Sequence, residues 1–276
     1  MELQEIIKKH SDHKIPIIAK IEKPEALANI DKITPYCDAL MCARGDLGVE
    51  VPMEQVPLIQ KRLVLKAKKA HIPIIIATQM METMIENQVP TRAEVNDVAN
   101  SIMDGADAVM LSGETAMGKF PLEVIQQMRR IIENVENSPL ISVPEEYIQC
   151  VNERFISKTI CHQAALMANT IDAEVITTLT DSGYTAFQIS SWRPKSNILV
   201  FSSNRRILAM LNLLWGVKGV YYDRFVSTDQ TIEDINNLAN DRGFLNDGDY
   251  AINVTSMPVK LRGMANTLRI TEYKKS

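Results

Sequence analysis

Residues 15–22 read IPIIAKIE, an apolar and β-branched run that ends in a lysine and a glutamate. The isoleucines favour a β-strand that is packed on both faces. A charge inside such a strand costs several kcal/mol unless it is paired. Because side chains alternate along a strand, Lys20 and Glu22 point the same way. The two charged residues therefore require a partner or a ligand.

The first half of the chain repeats this pattern, because each of four apolar runs is followed by an amphipathic stretch of helical length. The other runs are DALMCARGD (38–46), IPIIIATQM (72–80) and DAVMLSGET (107–115). The alternation predicts parallel strands that are joined by right-handed crossovers. The predicted helices cover residues 24–34, 54–70 and 92–103, with a fourth ending within 128–136.

Polar residues close all four runs. In parallel α/β folds, ligands bind at the carboxyl ends of the strands, where loops and helix N-termini converge. We therefore expect the polar residues to form one site. They are Lys20 and Glu22, Arg44 and Asp46, Thr78 and Gln79, and Ser112 and Glu114.

The length of this half is too short for a closed barrel. Eight β/α units take about 250 residues, whereas the four units here end by residue 136. Half a barrel leaves two open parallel edges, which is unfavourable in water. Either the sheet is an open, doubly wound one, or the other half of a barrel is absent from this chain.

The second half predicts a separate, three-layer α/β domain. Residues 137–152 lose periodicity and contain two prolines, which indicates a linker. We therefore predict domains at 1–142 and 153–276. The predicted helices of the second are 153–169, 184–191, 204–213 and 228–241, and its strands are 173–180, 196–202, 217–221, 249–256 and 266–273.

Composition excludes several classes of protein. The 276 residues carry 30 basic and 34 acidic side chains, so the net charge of −4 does not predict a nucleic-acid partner. Residues 1–15 lack a signal-peptide pattern and no apolar run approaches the ~20 residues of a membrane span, so we expect no membrane association. The cysteines have no metal-ligand spacing, which favours reduced thiols and a cytoplasmic location. They are Cys37, Cys42, Cys150 and Cys161.

The stretch ARGDLGVEVP, residues 43–52, is the second candidate for chemistry. Its glycines, Gly45 and Gly48, permit backbone geometry that other residues resist, and exposed N–H groups there could bind a carboxylate or phosphate. Asp46 and Glu22 offer oxygen ligands for a hard cation such as Mg²⁺. The alternative is a surface turn with an Arg–Asp pair.

Lys20 and Thr78 also have two interpretations each. Lys20 is either a lysine that pairs with Glu22 at the surface, or a group that stabilises charge on a transferring group. Thr78 is either a strand-terminal hydroxyl bonded to backbone or a hydroxyl directed into the site.

Together these motifs resemble the pyruvate kinase family. The resemblance rests on IIAKIE, ARGDLGVEVP and ATQMMETM, on PTRAEVNDVANSIMDGADAVMLSGETAMGKFP, and on WRP and LLWGV further along. It extends across essentially the whole chain and is strongest over 15–121. It implies the last four β/α units of a TIM barrel, followed by the family's C-terminal α/β domain.

The resemblance also implies an activity, the transfer of a phosphoryl group between phosphoenolpyruvate and ADP to give pyruvate and ATP. It implies Mg²⁺ (or Mn²⁺) and K⁺ as cofactors. Lys20 would steady the phosphoryl group, and Thr78 would lie near the carbon that is protonated. Glu22 and Asp46 would hold the divalent metal, while the backbone of Ala43, Arg44 and Gly45 would position the substrate carboxylate.

Two further expectations follow from the resemblance. The family's early barrel strands, with an arginine and K⁺ ligands, and its lid domain have no counterpart here. We therefore expect a C-terminal fragment with little or no activity alone, from an enzyme that is usually a homotetramer.

The second expectation concerns residues 178–194, TLTDSGYTAFQISSWRP, where the family binds sugar-phosphate effectors. Asp181 and Tyr184 replace basic residues that are common there, so a fructose bisphosphate is disfavoured by charge repulsion. An ordinary helix cap is the alternative interpretation. The residues that would bind the effector are Thr180, Ser182, Gly183 and Thr185.

Two other classes of function stay open at this point. One is a Mg²⁺-dependent aldolase of the citrate-lyase-like barrel group, which also places a glutamate and an aspartate at strand ends. The other is a non-catalytic regulatory or assembly module with a vestigial half-barrel. The ATQMMETM and SGETA motifs discriminate against the aldolase, and a module would require no affinity for Mg²⁺ at Glu22 and Asp46.

Overall fold

A computed structural model describes residues 2–13, 15–138, 154–224, 227–257 and 264–275. The chain divides into two compact units, Met1–Ile141 and Ser142–Ser276. The predicted linker lies almost entirely outside the described residues. The domain bounds of 1–142 and 153–276 therefore stay a prediction.

The first unit contains a four-stranded parallel sheet. Its strands are β1 (Ile18–Ile21), β2 (Ala39–Ala43), β3 (Ile74–Ala77) and β4 (Ala108–Met110), and they lie in the order β1-β2-β3-β4. Its helices are α1 (Glu2–His10), α2 (Pro24–Ala28), α3 (Ile30–Ile33), α4 (Arg44–Glu50), α5 (Val56–Ala70), α6 (Arg92–Asp104), α7 (Gly113–Ala116) and α8 (Pro121–Glu136). This strand–helix alternation is half of a TIM barrel, as predicted.

The core of this unit lies between the sheet and its long helices. Leu40 and Ile76 are fully buried and alternate with neighbours that face the other side of the sheet, as the two-residue period of a strand requires. Helices α5, α6 and α8 contribute Leu63, Val98 and Val124, which are also buried. This packing fixes the strands and therefore the positions of the loops at their carboxyl ends.

One prediction about β1 is wrong. We expected residues 15–22 to be packed on both faces, but Ile15 and Ile18 are 45% and 41% exposed, and only Ile21 in the strand is buried. The reason is that β1 is an edge strand, with a partner on one side only among the described residues. The burial cost that we assigned to Lys20 is therefore small.

Two local predictions also differ from the structure. The expected helix 24–34 is two short helices that meet at Asn29. The special backbone geometry expected at Gly45 and Gly48 is also not observed, because both lie in helix α4 and neither has a positive φ. A Cβ at Gly45 would lie 3.2 Å from Thr78 Oγ1, a tight contact that favours glycine at this position.

The second unit contains four helices and five strands among the described residues. The elements are α9 (Phe155–Thr170), β5 (Val175–Leu179), α10 (Tyr184–Ser191), β6 (Asn197–Ser202), α11 (Arg205–Leu211), β7 (Val217–Tyr221), α12 (Thr228–Asp241), β8 (Tyr250–Thr255) and β9 (Thr267–Glu272). The strands form one sheet in the order β7-β6-β5-β8-β9, parallel except for the antiparallel pair β8–β9. The helices α9, α10 and α11 contribute to the core on one face and α12 to the core on the other, which gives the predicted three layers. None of the helices in the described ranges could cross a bilayer.

Candidate active site

The register of the first sheet brings the carboxyl ends of its strands together. Ile21 is level with Cys42, Ala43 is level with Ala77, and Ala77 is level with Met110. The polar residue that follows each strand therefore emerges at the same edge. This is the arrangement that the shared position of the polar residues predicted.

Lys20 is the centre of an ion-pair cluster at this edge. Its Nζ lies 2.5 Å from Glu22 Oε2 and donates a hydrogen bond of 2.8 Å to Asp46 Oδ2. The three side chains are 50%, 33% and 57% exposed, so solvent still reaches them. One cation and two carboxylates leave a net negative charge, which favours an additional cation.

The protonation states follow from these contacts. The hydrogen bonds to Asp46 and then to Glu22 raise the pKa of Lys20 above its usual range. The same bond from Lys20 lowers the pKa of Asp46. At neutral pH both groups are therefore charged, as a cation and an oxygen ligand.

Glu22 has coordination capacity that its neighbours do not use. Its Oε2 is shielded from solvent and lies 2.5 Å from the ammonium nitrogen of Lys20, and apart from this ion pair it accepts no hydrogen bond from any described residue. Mg²⁺ is typically bound by one or two carboxylates together with substrate phosphates. Glu22 and Asp46 fit that donor set, although no cluster of three or more acidic, His or Cys ligands occurs among the described residues.

Thr78 lies beside this cluster and is bonded to the start of α4. Its Oγ1 accepts a hydrogen bond of 2.8 Å from the backbone N–H of Gly45 and donates one of 2.6 Å to Ala77 O. The backbone of Thr78 and Gln79 has positive φ, at 68° and 54°. The structure thus joins the ARGD and ATQM motifs directly.

The side chain of Arg44 does not pair with Asp46, as a surface turn would require. It is buried and contacts Asp97 Oδ1 at 2.6 Å through Nη1. Asp97 could not be identified from the sequence, because a single carboxylate on a helix is usually solvated. Its role is visible only in the folded chain, where Asp97 of α6 contacts the Arg44 guanidinium next to the carboxyl end of β2.

Glu114, one of the polar residues that the sequence placed at the strand ends, is buried and not open to a ligand. It is 3% exposed, and its carboxylate accepts hydrogen bonds from Ser112 N–H at 2.8 Å and Met81 N–H at 3.3 Å. It therefore connects the loop after β4 with the loop after β3.

The second unit contains a cavity of about 490 Å³ above the carboxyl ends of β5 and β8. Thr180, Ser182 and Thr185 line it, whereas Gly183 lies outside the lining with a φ of 80° as the N-cap of α10. Thr180 Oγ1 accepts from Gly183 N–H at 2.9 Å. Asp181 also lines the cavity.

The fold and the site together define a protein with a partial β/α barrel and an ion-pair cluster at its strand ends. Comparison with known families narrows this class. Residues 1–125 match the model of the pyruvate kinase barrel domain, and residues 158–271 match the model of the pyruvate kinase alpha/beta domain. The chain belongs to the pyruvate kinase family.

Individual relatives agree with this assignment. The chain is 40% identical to pyruvate kinase 2 of Synechocystis sp. over 94% of its own length and 43% of the relative's. It is 39% identical to the pyruvate kinase of Geobacillus stearothermophilus, over 98% and 46% of the two chains. The crystal structure of a pyruvate kinase from Cryptosporidium parvum aligns with a TM-score of 0.87 at 32% identity, covering 98% of this chain and 55% of that one. The chain thus spans about half the length of these relatives.

Proposed function

We propose that this chain contributes to a pyruvate kinase, which transfers a phosphoryl group between phosphoenolpyruvate and ADP. The observation that carries the proposal is the contact of Lys20 with both Glu22 and Asp46 at the edge where Thr78 meets Gly45. Phosphoryl transfer requires mainly positioning and charge neutralisation, which such a cluster supplies. The family match does not favour an aldolase or a non-catalytic module.

Each residue has a proposed role. Lys20 neutralises charge on the phosphoryl group, and Thr78 directs its hydroxyl towards the carbon that is protonated. The backbone of Ala43, Arg44 and Gly45 positions the substrate carboxylate.

Metal binding is proposed for Glu22 and Asp46, which would hold Mg²⁺ or Mn²⁺. The bound ion would neutralise phosphate charge. For K⁺, which the family resemblance also implies, no described residue of this chain is proposed as a ligand.

The activity proposal includes a dependence on the rest of a barrel. Both β1 and β4 have only one neighbouring strand among the described residues, and an open parallel edge is unfavourable. We therefore propose that the 276-residue chain alone has little or no activity, and that the complete enzyme is a cytoplasmic homotetramer.

Effector binding is proposed for the cavity of the second unit, through Thr180, Ser182, Gly183 and Thr185. The hydroxyls of Ser157 and Thr255 line the same cavity, are buried and make no hydrogen bond to any described residue. They could bind the hydroxyls or the single phosphate of a sugar phosphate. Calorimetric titration with sugar monophosphates should show binding, and tight binding of fructose bisphosphate would contradict the repulsion expected from Asp181.

The catalytic proposal is tested by a coupled assay of pyruvate formation. The chain is co-expressed with the N-terminal half of the Geobacillus stearothermophilus relative, and turnover is compared for the chain alone, the pair, and the pair with Lys20→Met. We expect turnover only from the pair, with a loss of about 10²- to 10³-fold in the variant. Lys66→Met, which removes a surface lysine paired with Asp31, is the matched control. Full turnover by the chain alone, or by the Lys20 variant, would contradict the proposal.

A further inference from the structure

The guanidinium of Arg44 makes more hydrogen bonds than any other described side chain near the candidate site. Arg44 is 7% exposed, and its Nη2 donates to Thr78 O at 2.7 Å and to Gln79 O at 3.0 Å. Its Nε donates to Thr78 O at 3.3 Å, and its Nη1 donates to Asp97 and to Gln60. The proposed function uses only the backbone of this residue, so these contacts call for a separate explanation.

The two carbonyls that Arg44 binds belong to a strained turn. Thr78 and Gln79 have φ values of 68° and 54°, a region that non-glycine residues seldom adopt. For a β-branched residue such as Thr78 this conformation is an outlier that surrounding contacts have to hold in place. Arg44 supplies hydrogen bonds to both strained residues.

The turn determines where the hydroxyl of Thr78 lies. With this backbone, Thr78 Oγ1 reaches the N–H of Gly45, and Gly45 directly follows Arg44 in the chain. Arg44 and Gly45 therefore hold opposite sides of Thr78, one through its carbonyl and the other through its hydroxyl. A change in the turn would move the hydroxyl away from the cluster of Lys20, Glu22 and Asp46.

We infer that Arg44 is a positioning residue, whose guanidinium holds the Thr78–Gln79 turn in its left-handed conformation and thereby directs the Thr78 hydroxyl to the substrate-binding edge. Asp97 orients the guanidinium from α6 through the contact with Nη1. A lysine could keep the charge next to Asp97 but lacks the planar fork that binds several acceptors at once. The inference rests on the role proposed for Thr78.

The first test measures the Gly45 amide in the purified chain by ¹⁵N-resolved hydrogen exchange, which requires no activity. Arg44→Met should accelerate exchange at Gly45 about 10-fold, the effect of losing roughly one net hydrogen bond, and should shift its resonance. Thr78→Val, which removes the acceptor, should produce the same signature. The double variant should add nothing further, because both changes break the same contact.

Controls separate positioning from general destabilisation. Arg129→Met removes an exposed arginine of α8 that pairs with Glu133 and should leave Gly45 unchanged. If Arg44→Met does not fold, Arg44→Lys is used instead and should give the same change at Gly45. In Arg44→Met/Gln79→Gly, the glycine adopts a positive φ without strain, so part of the Gly45 protection should return.

Two results would overturn the inference. One is an unchanged Gly45 amide in Arg44→Met or Arg44→Lys. The other is faster exchange that spreads equally over β2 and β3, which would indicate a structural role alone. If exchange at the Gly45 amide changes as expected but the rejoined barrel shows no turnover in the coupled assay, the positioning contact is supported and the proposed activity is contradicted.

Discussion

The environment of Lys20 was predicted only in part from the sequence. The sequence indicated a charge inside a packed strand, and the structure shows an edge position at which the lysine is 50% exposed. The need for partners was nevertheless correct, because Glu22 and Asp46 both contact its ammonium group. The sequence could place Glu22 by strand periodicity, but Asp46 only by assuming that neighbouring strands end level.

Removing Lys20 should change the titration of Asp46. The hydrogen bond from Lys20 is the main cause of the lowered pKa of Asp46. In Lys20→Met we therefore expect this pKa to rise towards its usual value near 4. The measurement is a ¹³C NMR titration of the Asp46 carboxyl in both proteins, with Lys66→Met as the control. An unchanged pKa would mean that the ion pair is not formed in solution.

A second residue-level prediction concerns His162, whose ring stacks on Trp192 with centroids 3.8 Å apart. Burial lowers the pKa of His162, so the folded state favours the neutral ring. Its contribution to stability is therefore complete above the unfolded-state pKa of about 6.5 and is lost as the pH falls through the lower folded value.

Urea denaturation at pH 7.5 and at pH 5.5 tests this prediction. The difference between the two midpoints should be smaller in His162→Gln than in the parent chain, because the variant lacks the titrating group. Fluorescence of the tryptophans reports the transition. An equal pH dependence in both proteins would show that His162 does not contribute.

At the scale of elements, the hydrophobic periodicity of the sequence was sufficient to predict the bounds of an element where each helix packs a single apolar stripe. Helix 184–191, strand 217–221 and helix 228–241 begin and end at the predicted residues. The same periodicity did not predict the bounds of elements where local hydrogen bonds interrupt a helix. Asn29 donates its side-chain amide to Glu25 O and separates α2 from α3. The stretch after β2, for which the sequence left a surface turn open, is helix α4.

The start of α6 provides the element-scale prediction. Thr91 Oγ1 accepts from Glu94 N–H at 3.2 Å, and Glu94 Oε2 accepts from Thr91 N–H at 2.7 Å, which forms a capping box. Thr91→Ala should reduce the free energy of unfolding by about 1 kcal/mol. Thr91→Ser keeps the hydroxyl and should change it much less. Urea midpoints at constant m-value measure both, and equal midpoints for the two variants would contradict the role of the cap.

For the whole molecule, the repeated run-and-helix pattern predicted the architecture because each unit buries its own apolar stripe. The order β1-β2-β3-β4 follows from consecutive crossovers. The alternative of an open, doubly wound sheet could not be excluded from the length alone. The match to the barrel domain of pyruvate kinases over residues 1–125 favours the partial barrel over the open sheet. The buried contacts of Arg44 with α6 could not be predicted, because they join residues 53 positions apart in the chain.

Glu22 and Asp46 are proposed to share one divalent cation beside Lys20, and a Mn²⁺ titration followed by electron paramagnetic resonance tests this central claim most directly. We expect one site that is weakened in Glu22→Gln and in Asp46→Asn and unchanged in Glu133→Gln, a surface control on α8. Without substrate, Lys20→Met should tighten binding, because the ammonium group no longer competes for the two carboxylates. Mn²⁺ binding that none of the three site variants alters would contradict the claim.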